Sequence, residues 1–265
     1  MNTKDYLEKN RAAWNQRTLS HIESDFYDQQ SFLEGRNSLN PFELDLLEEV
    51  NGKKILHLQC HFGQDSISLS RMGADVTGVD LSDQSIAEAK KAAAQVGTNT
   101  RFFQNDVLSF PEVHDEKYDI VFTSYGTIGW LPDVKEWAKV VKHFLKPGGF
   151  LLIVEFHPVV WMYDDDFQKV IYPYFNKEAI LETEKGSYAS KEANYEFEYV
   201  GWNHPISDVM NAVIGEGLSI EVFNEYDHSP YDCFGPTEEF EPGKFRIKHM
   251  GNHLPMVYAL KARRG

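Results

Sequence analysis

The sequence predicts a doubly wound α/β fold built on a mostly parallel sheet, and two observations carry that expectation. Apolar runs of strand length alternate with segments of helical periodicity between about residues 54 and 155. Within them, KILHLQCHFGQDSISLSRMGADVTGVD (54–80) lays out a strand, a tight turn around Gly63, a helix, and a second strand ending on Asp80. A carboxylate at such a strand tip accepts hydrogen bonds from both hydroxyls of a ribose. The helix after Gly63 offers unpaired N–H groups to whatever lies in the turn. An adenosine-containing ligand is therefore the first hypothesis.

Each element has its own signal. Residues 4–17 read as a helix bearing Tyr6, Leu7 and Trp14. Asn40-Pro41 supplies a cap and a first-turn proline for a second helix carrying Phe42, Leu46, Leu47 and Val50, closed by Asn51-Gly52. Strands are expected at 54–58, 75–80 and 101–104, with a helix near 64–72 and another, capped by Ser82, running to Val96. YDIVFTS (118–124) is a continuous apolar run, as a central parallel strand requires. Val134, Trp137, Val141, Phe144 and Leu145 recur at helical spacing; Lys146-Pro147-Gly148-Gly149 ends that helix, and Phe150–Glu155 follows as a strand. Residues 156–203 lose the alternation and read as an inserted cap of short strands or loops, polar near 182–192. A helix from Pro205 with Ile206, Val209, Met210, Val213 and Ile214, a strand at 218–224, turns through 227–253 and a strand at 254–260 complete the chain. One domain over residues 1–265 is expected, with 1–50 forming an N-terminal helical lid.

Composition narrows the partners. A formal net charge of -15 repels polyanions, which argues against nucleic acid. No apolar run approaches the roughly 20 residues of a membrane span. The N-terminal MNTKDYLEKNRAAW has no apolar core of a signal peptide, so a cytoplasmic location is expected. Cys60 and Cys233, the only cysteines, fit a reducing compartment rather than a disulfide framework. The basic ending, Lys261 to Arg264, reads as a solvated tail.

In order and spacing, the turn HLQCHFGQD, the strand end VTGVDLS, the segment FFQNDV, the strand YDIVFTSYG and the unit FLKPGGFLLIVEF resemble the class I S-adenosylmethionine-dependent methyltransferases. The resemblance implies a seven-stranded sheet ending in an antiparallel C-terminal hairpin, and S-adenosyl-L-methionine as cofactor. It places Asp80 on the ribose with Leu81 beside it, and Asp106, flanked by Asn105 and Val107, against the adenine. Ser124 and Tyr125 fall beside the methionine end. The turn departs from the family pattern of an acidic residue and three alternating glycines: those positions read His57, Gln59, His61 and Gly63. Gln59 and His61 must then either fit ordinary backbone angles or push the cofactor outward, and their side chains stand in for backbone contacts.

Other residues carry two readings each. Asp80 also suits a cap for the following helix, and Asp106 a solvated loop acid. His157, in EFHPV after the fifth strand, fits a general base on the acceptor as well as a turn histidine, and Tyr125 joins it as a catalytic candidate. His204, before Pro205, fits a helix cap as well as a catalytic role. Trp14, Tyr27, Trp130, Trp161 and Trp202 suit an aromatic acceptor wall or plain packing. No metal motif, GxSxG elbow or GxxxxGK[ST] loop is present. A small-molecule methyltransferase is the expectation. The alternatives are a non-enzymatic cofactor-binding or scaffold protein and an NAD-dependent oxidoreductase, although QCHFGQ (59–64) lacks the GxGxxG the latter needs. The acceptor and the oligomeric state are not legible.

Overall fold

The computed structural model describes residues 3–190 and 194–265, so the end of the polar stretch at 182–192 lies outside the described residues. Helices α1 (Thr3–Ile22), α2 (Gln29–Glu34) and α3 (Pro41–Leu44) lead into β1 (Lys54–Leu58), α4 (Gln64–Arg71), β2 (Asp75–Asp80), α5 (Asp83–Val96) and β3 (Arg101–Gln104). β4 (Tyr118–Ser124), α6 (Val134–Phe144) and β5 (Leu145–Phe156) follow. The rest comprises a hairpin of β6 (Ile180–Lys185) and β7 (Glu196–Gly201), then α7 (Ile206–Gly215) and β8 (Leu218–Tyr226). A second hairpin, β9 (Thr237–Glu241) and β10 (Lys244–Ile247), precedes β11 (Val257–Arg264).

Seven strands form one sheet in the order β3-β2-β1-β4-β5-β11-β8. β1 to β5 pair in parallel, and only β11 runs against its neighbours, β5 and β8. The chain reverses its winding direction between β1 and β4, which opens a crevice at their carboxyl ends. The apolar runs are unbroken because both faces are covered. Leu56, Val121, Leu151, Ile153, Tyr258 and Leu260 feed a core with α6 and α7. Their alternates Ile55, Ile120, Phe122, Leu152, Val154 and Ala259 feed another with Leu39, Phe42 and Leu69. Burying a side chain of this size contributes about 1.5–3 kcal/mol.

Four expectations change. The first helix runs to Ile22, and the second shrinks to one turn, because Asn40 gives no capping bond and its amide donates instead to Tyr231 Oη (2.7 Å). The turn-rich 227–253 segment contains the β9–β10 hairpin. The basic C-terminus is no solvated tail: it is the end of β11, with Lys261 buried and bonded to Glu48 (2.9 Å) and the Leu46 carbonyl (3.1 Å).

Candidate active site

The turn between β1 and α4 keeps the left-handed backbone that glycine would give it, without the glycines. Gln59, His61 and Gly63 have φ of 55°, 50° and 83°. The expected choice between ordinary angles and a displaced ligand is therefore resolved a third way, with two non-glycine residues held in strain at roughly 1–2 kcal/mol each. Their hydrogen bonds offset that cost. The His61 N–H donates to Asp80 Oδ2 (2.8 Å), the Cys60 N–H to the Val79 carbonyl (3.0 Å), and the Gly63 N–H to the Cys60 carbonyl (2.9 Å). Gly63 is glycine for packing: a Cβ there would lie 2.6 Å from the Phe102 ring.

His61 closes the turn onto α1. Its Nδ1 meets Ser85 Oγ (3.0 Å) and its Nε2 meets His21 Nδ1 (3.0 Å), while His21 Nε2 meets Ser187 Oγ (3.0 Å). Burial lowers the pKa of His61 to about 3 and that of His21 to about 2, so both rings are neutral, each with one donor and one acceptor nitrogen. This chain of side chains ties the turn, α5, α1 and the segment before β7 together. Gln59 Nε2 donates to the Thr127 carbonyl (2.7 Å), which leaves its buried Oε1 without a partner at the cavity wall. An orphaned acceptor there fits a ligand that brings an N–H.

Asp80 ends β2 with its carboxylate buried. Oδ1 accepts from the Ser82 N–H (2.8 Å), and burial raises its pKa to about 6 despite these bonds. It therefore braces the turn as well as facing the cavity. Ser82 Oγ caps α5 by accepting from the Ser85 N–H (3.0 Å). Leu81, Asp106 and Val107 also line the cavity. Asn105 does not: its Oδ1 accepts from Ser109 Oγ (3.0 Å).

Ser124 and Tyr125 lie at the carboxyl end of β4 and face the same space. Ser124 Oγ donates to Asp65 Oδ2 (3.2 Å), and Tyr125, with φ of 26°, donates its phenol to Glu43 Oε2 (3.1 Å). His157 does not join them. Nδ1 accepts from the Val159 N–H (3.2 Å) and Nε2 pairs with Glu225 (3.0 Å), outside the cavity wall. Both nitrogens serve the turn after β5, which corrects the general-base expectation. His204 reaches the cavity wall, its Nε2 on the Leu131 carbonyl (2.8 Å).

Two groups were not singled out from the sequence. Buried Glu155 accepts from the N–H groups of Gly126, Thr127 (2.7 Å) and Ile128 (3.1 Å), bracing the loop that follows β4. Arg17, only 4 % exposed, pairs with Glu184, and its guanidinium lies 4.6–5.3 Å from the ring centres of Trp14, Trp130, Phe197 and Tyr199. Without partners or rings in contact, a helical arginine gives no signal in a single sequence.

These residues enclose one cavity of about 1040 Å³ along the carboxyl ends of β1, β2, β4 and β5, roofed by α1 and the β6–β7 hairpin. Asn10 of α1 fastens that roof, its amide donating to the Val200 carbonyl (2.8 Å) and accepting from the Val200 N–H (2.8 Å). All five aromatics with the two readings of acceptor wall or plain packing line it. Among the described residues, no group of three or more His, Cys, Asp or Glu side chains is placed to hold a metal ion.

Comparison with known proteins agrees with this geometry. A family model described as a methyltransferase domain matches residues 55–149. The ubiquinone biosynthesis O-methyltransferase of Photorhabdus laumondii is 28% identical over 188 residues, covering 68% of this chain and 74% of that protein. Other curated relatives of that name, from Shewanella and Serratia, match over about half of their own length (49–55%). Among solved structures, a SAM-dependent methyltransferase from Methanosarcina mazei superposes with a TM-score of 0.60 at 20% identity, over 85% of this chain and 98% of that one. The DhpI–SAH complex gives 0.59 at 17% identity, over 100% and 99%.

Proposed function

We propose that this chain, which belongs to the class I S-adenosylmethionine-dependent methyltransferases, transfers the donor's methyl group to a small-molecule acceptor held beneath the β6–β7 hairpin. The observation that carries the reading is the cavity over the β1–β4 switch point, with both Asp80 and Tyr125 in its wall.

When bound, S-adenosylmethionine supplies a methyl group on a positively charged sulfur, already a strong electrophile. The protein's task is to hold two reactants close, collinear and dry. Asp80, which keeps unused lone pairs beyond the bonds that brace the turn, would accept from the ribose hydroxyls. Leu81, Asp106 and Val107 would border the adenine. Gln59 Oε1 would accept from the donor's ammonium group, while Gly63 and His61 shape the turn rather than reach across it. Ser124 and Tyr125 border the acceptor side. Helix α1 and the hairpin exclude water, and the surrounding carboxylates suit a donor with a cationic sulfur.

A small molecule is favoured because α1 and the β6–β7 hairpin line the cavity opposite the sheet, and the charge of -15 opposes nucleic acid. Oxygen is proposed as the acceptor atom, supported by the name that the curated relatives share, ubiquinone biosynthesis O-methyltransferase. A cytoplasmic location is proposed with it; among the described residues, no helix is long and apolar enough to cross a membrane. The test is a screen of phenolic and amine metabolites for S-adenosylhomocysteine release. The reading predicts release with at least one class; release with none, from protein that binds the donor, contradicts it.

A further inference from the structure

Behind the acceptor side of the cavity lies a buried carboxyl that the reading above does not use. Glu43, on the single turn α3, is 0% exposed. Its Oε2 accepts from the Tyr125 phenol (3.1 Å), and its Oε1 has no hydrogen-bond partner. Tyr125 lines the cavity and Glu43 does not, so the phenol links the buried carboxyl to the cavity wall. The surroundings are built to hold this pair. Asp65 on α4 is held by Ser38 Oγ (2.7 Å) and Ser124 Oγ (3.2 Å). Tyr231 meets Tyr125 edge-on at 5.1 Å and is itself fixed by the Asn40 amide. Tyr125 pays for its place with a left-handed φ of 26°. Strain at the tip of a central strand, spent on aiming one phenol, marks a functional position.

Resting on the methyltransferase reading, we propose that Tyr125 and Glu43 form a proton relay that takes up the proton a hydroxyl or amine acceptor loses as it is methylated. As the bond from the acceptor heteroatom to the methyl carbon forms and the sulfur–carbon bond breaks, the acceptor's proton passes to Tyr125 Oη. The phenol's own proton passes to Glu43 Oε2. With Glu43 ionised in the donor complex, the positive charge on sulfur and the negative charge on Glu43 disappear together, so no net charge is created. Burial, and next the facing Asp65, raise the Glu43 carboxyl from 4.5 to about 8, so at neutral pH the resting group is mostly protonated and ends the relay only once the bound sulfonium has driven its proton to solvent. The groups facing it are Asp65 from α4, Tyr125 from the end of β4, Asn40 before α3, and Tyr231 beyond Tyr125, with Arg36 acting on Asp65. Tyr125 is the catalytic residue of the pair, and Glu43 acts through it.

The first arm of the test needs no acceptor. A cationic sulfonium beside the relay favours ionised Glu43, whereas the neutral sulfur of S-adenosylhomocysteine does not. Calorimetric titration at pH 7.5 in two buffers of different ionisation enthalpy counts the protons released on binding. Measured against Glu43→Gln, which cancels the protons exchanged by each ligand's own amino group, wild type should release about half a proton more with S-adenosylmethionine than with S-adenosylhomocysteine. A wild-type excess over Glu43→Gln that is the same for both ligands overturns the relay; failure of wild type to bind either overturns the methyltransferase reading instead. With catechol and phenylethylamine as hydroxyl and amine probes, Tyr125→Phe should lower kcat about 100-fold with KM nearly unchanged. Unchanged kcat on either probe also overturns the relay.

Discussion

Asp80 does two jobs with one carboxylate, which decides how its variants behave. It accepts the His61 and Ser82 N–H groups and borders the cavity where a ribose would lie. Asp80→Ala should weaken S-adenosylhomocysteine binding by about 2–3 kcal/mol, the scale of charge-assisted hydrogen bonds. It should also lower the melting temperature of the free protein, because the turn loses its anchor. Unchanged affinity by calorimetry removes the ribose role. Glu43 gives a second prediction at this scale. Its folded pKa of about 8 exceeds the ordinary 4.5, so the folded state binds the extra proton and stability falls as pH rises from about 4.5 to about 8. Melting curves of Glu43→Gln should show a smaller loss over that window. A parallel loss in both proteins assigns the pH dependence elsewhere.

Among elements, the clasp of His61 and His21 is what fixes α1 over the turn. Both rings have folded pKa values far below the ordinary 6.5, so their contribution is fully present above pH 6.5 and is lost as pH falls toward about 3. Acidification should therefore release α1 early, read as a change in Trp14 fluorescence, since Trp14 packs edge-on to His61 at 5.1 Å. His61→Asn, which tolerates the left-handed φ but carries no titrating ring, should flatten that transition. His61→Gly relieves strain yet leaves Ser85 and His21 short of a partner. A lower melting temperature is expected, and an unchanged one makes the histidine incidental. These effects explain what a single sequence hides. The residues of the turn were legible as positions, but a φ of 50° at histidine belongs to the whole turn and to Asp80 across from it. His157 stood at the right strand end, yet its side chain turns to Glu225, a partner 68 residues away.

At the scale of the molecule, the sheet was legible because its strands are buried on both faces and read as unbroken apolar runs. The antiparallel last pair came from family resemblance, and β11 extends through the basic residues because Glu48 and Glu221 pair with them. The roof was less legible. β6 alternates half-buried and exposed residues, β7 buries only Phe197 and Val200, and what fastens them is Asn10 and Arg17 on a distant helix. The central claim is that the cavity over the β1–β4 switch point takes an adenosyl sulfonium donor. Calorimetric titration of the full chain with S-adenosylmethionine, S-adenosylhomocysteine and NADH tests it most directly. Saturable one-to-one binding of the first two and none of NADH is the predicted result; binding of NADH alone, or of none of the three, contradicts the account.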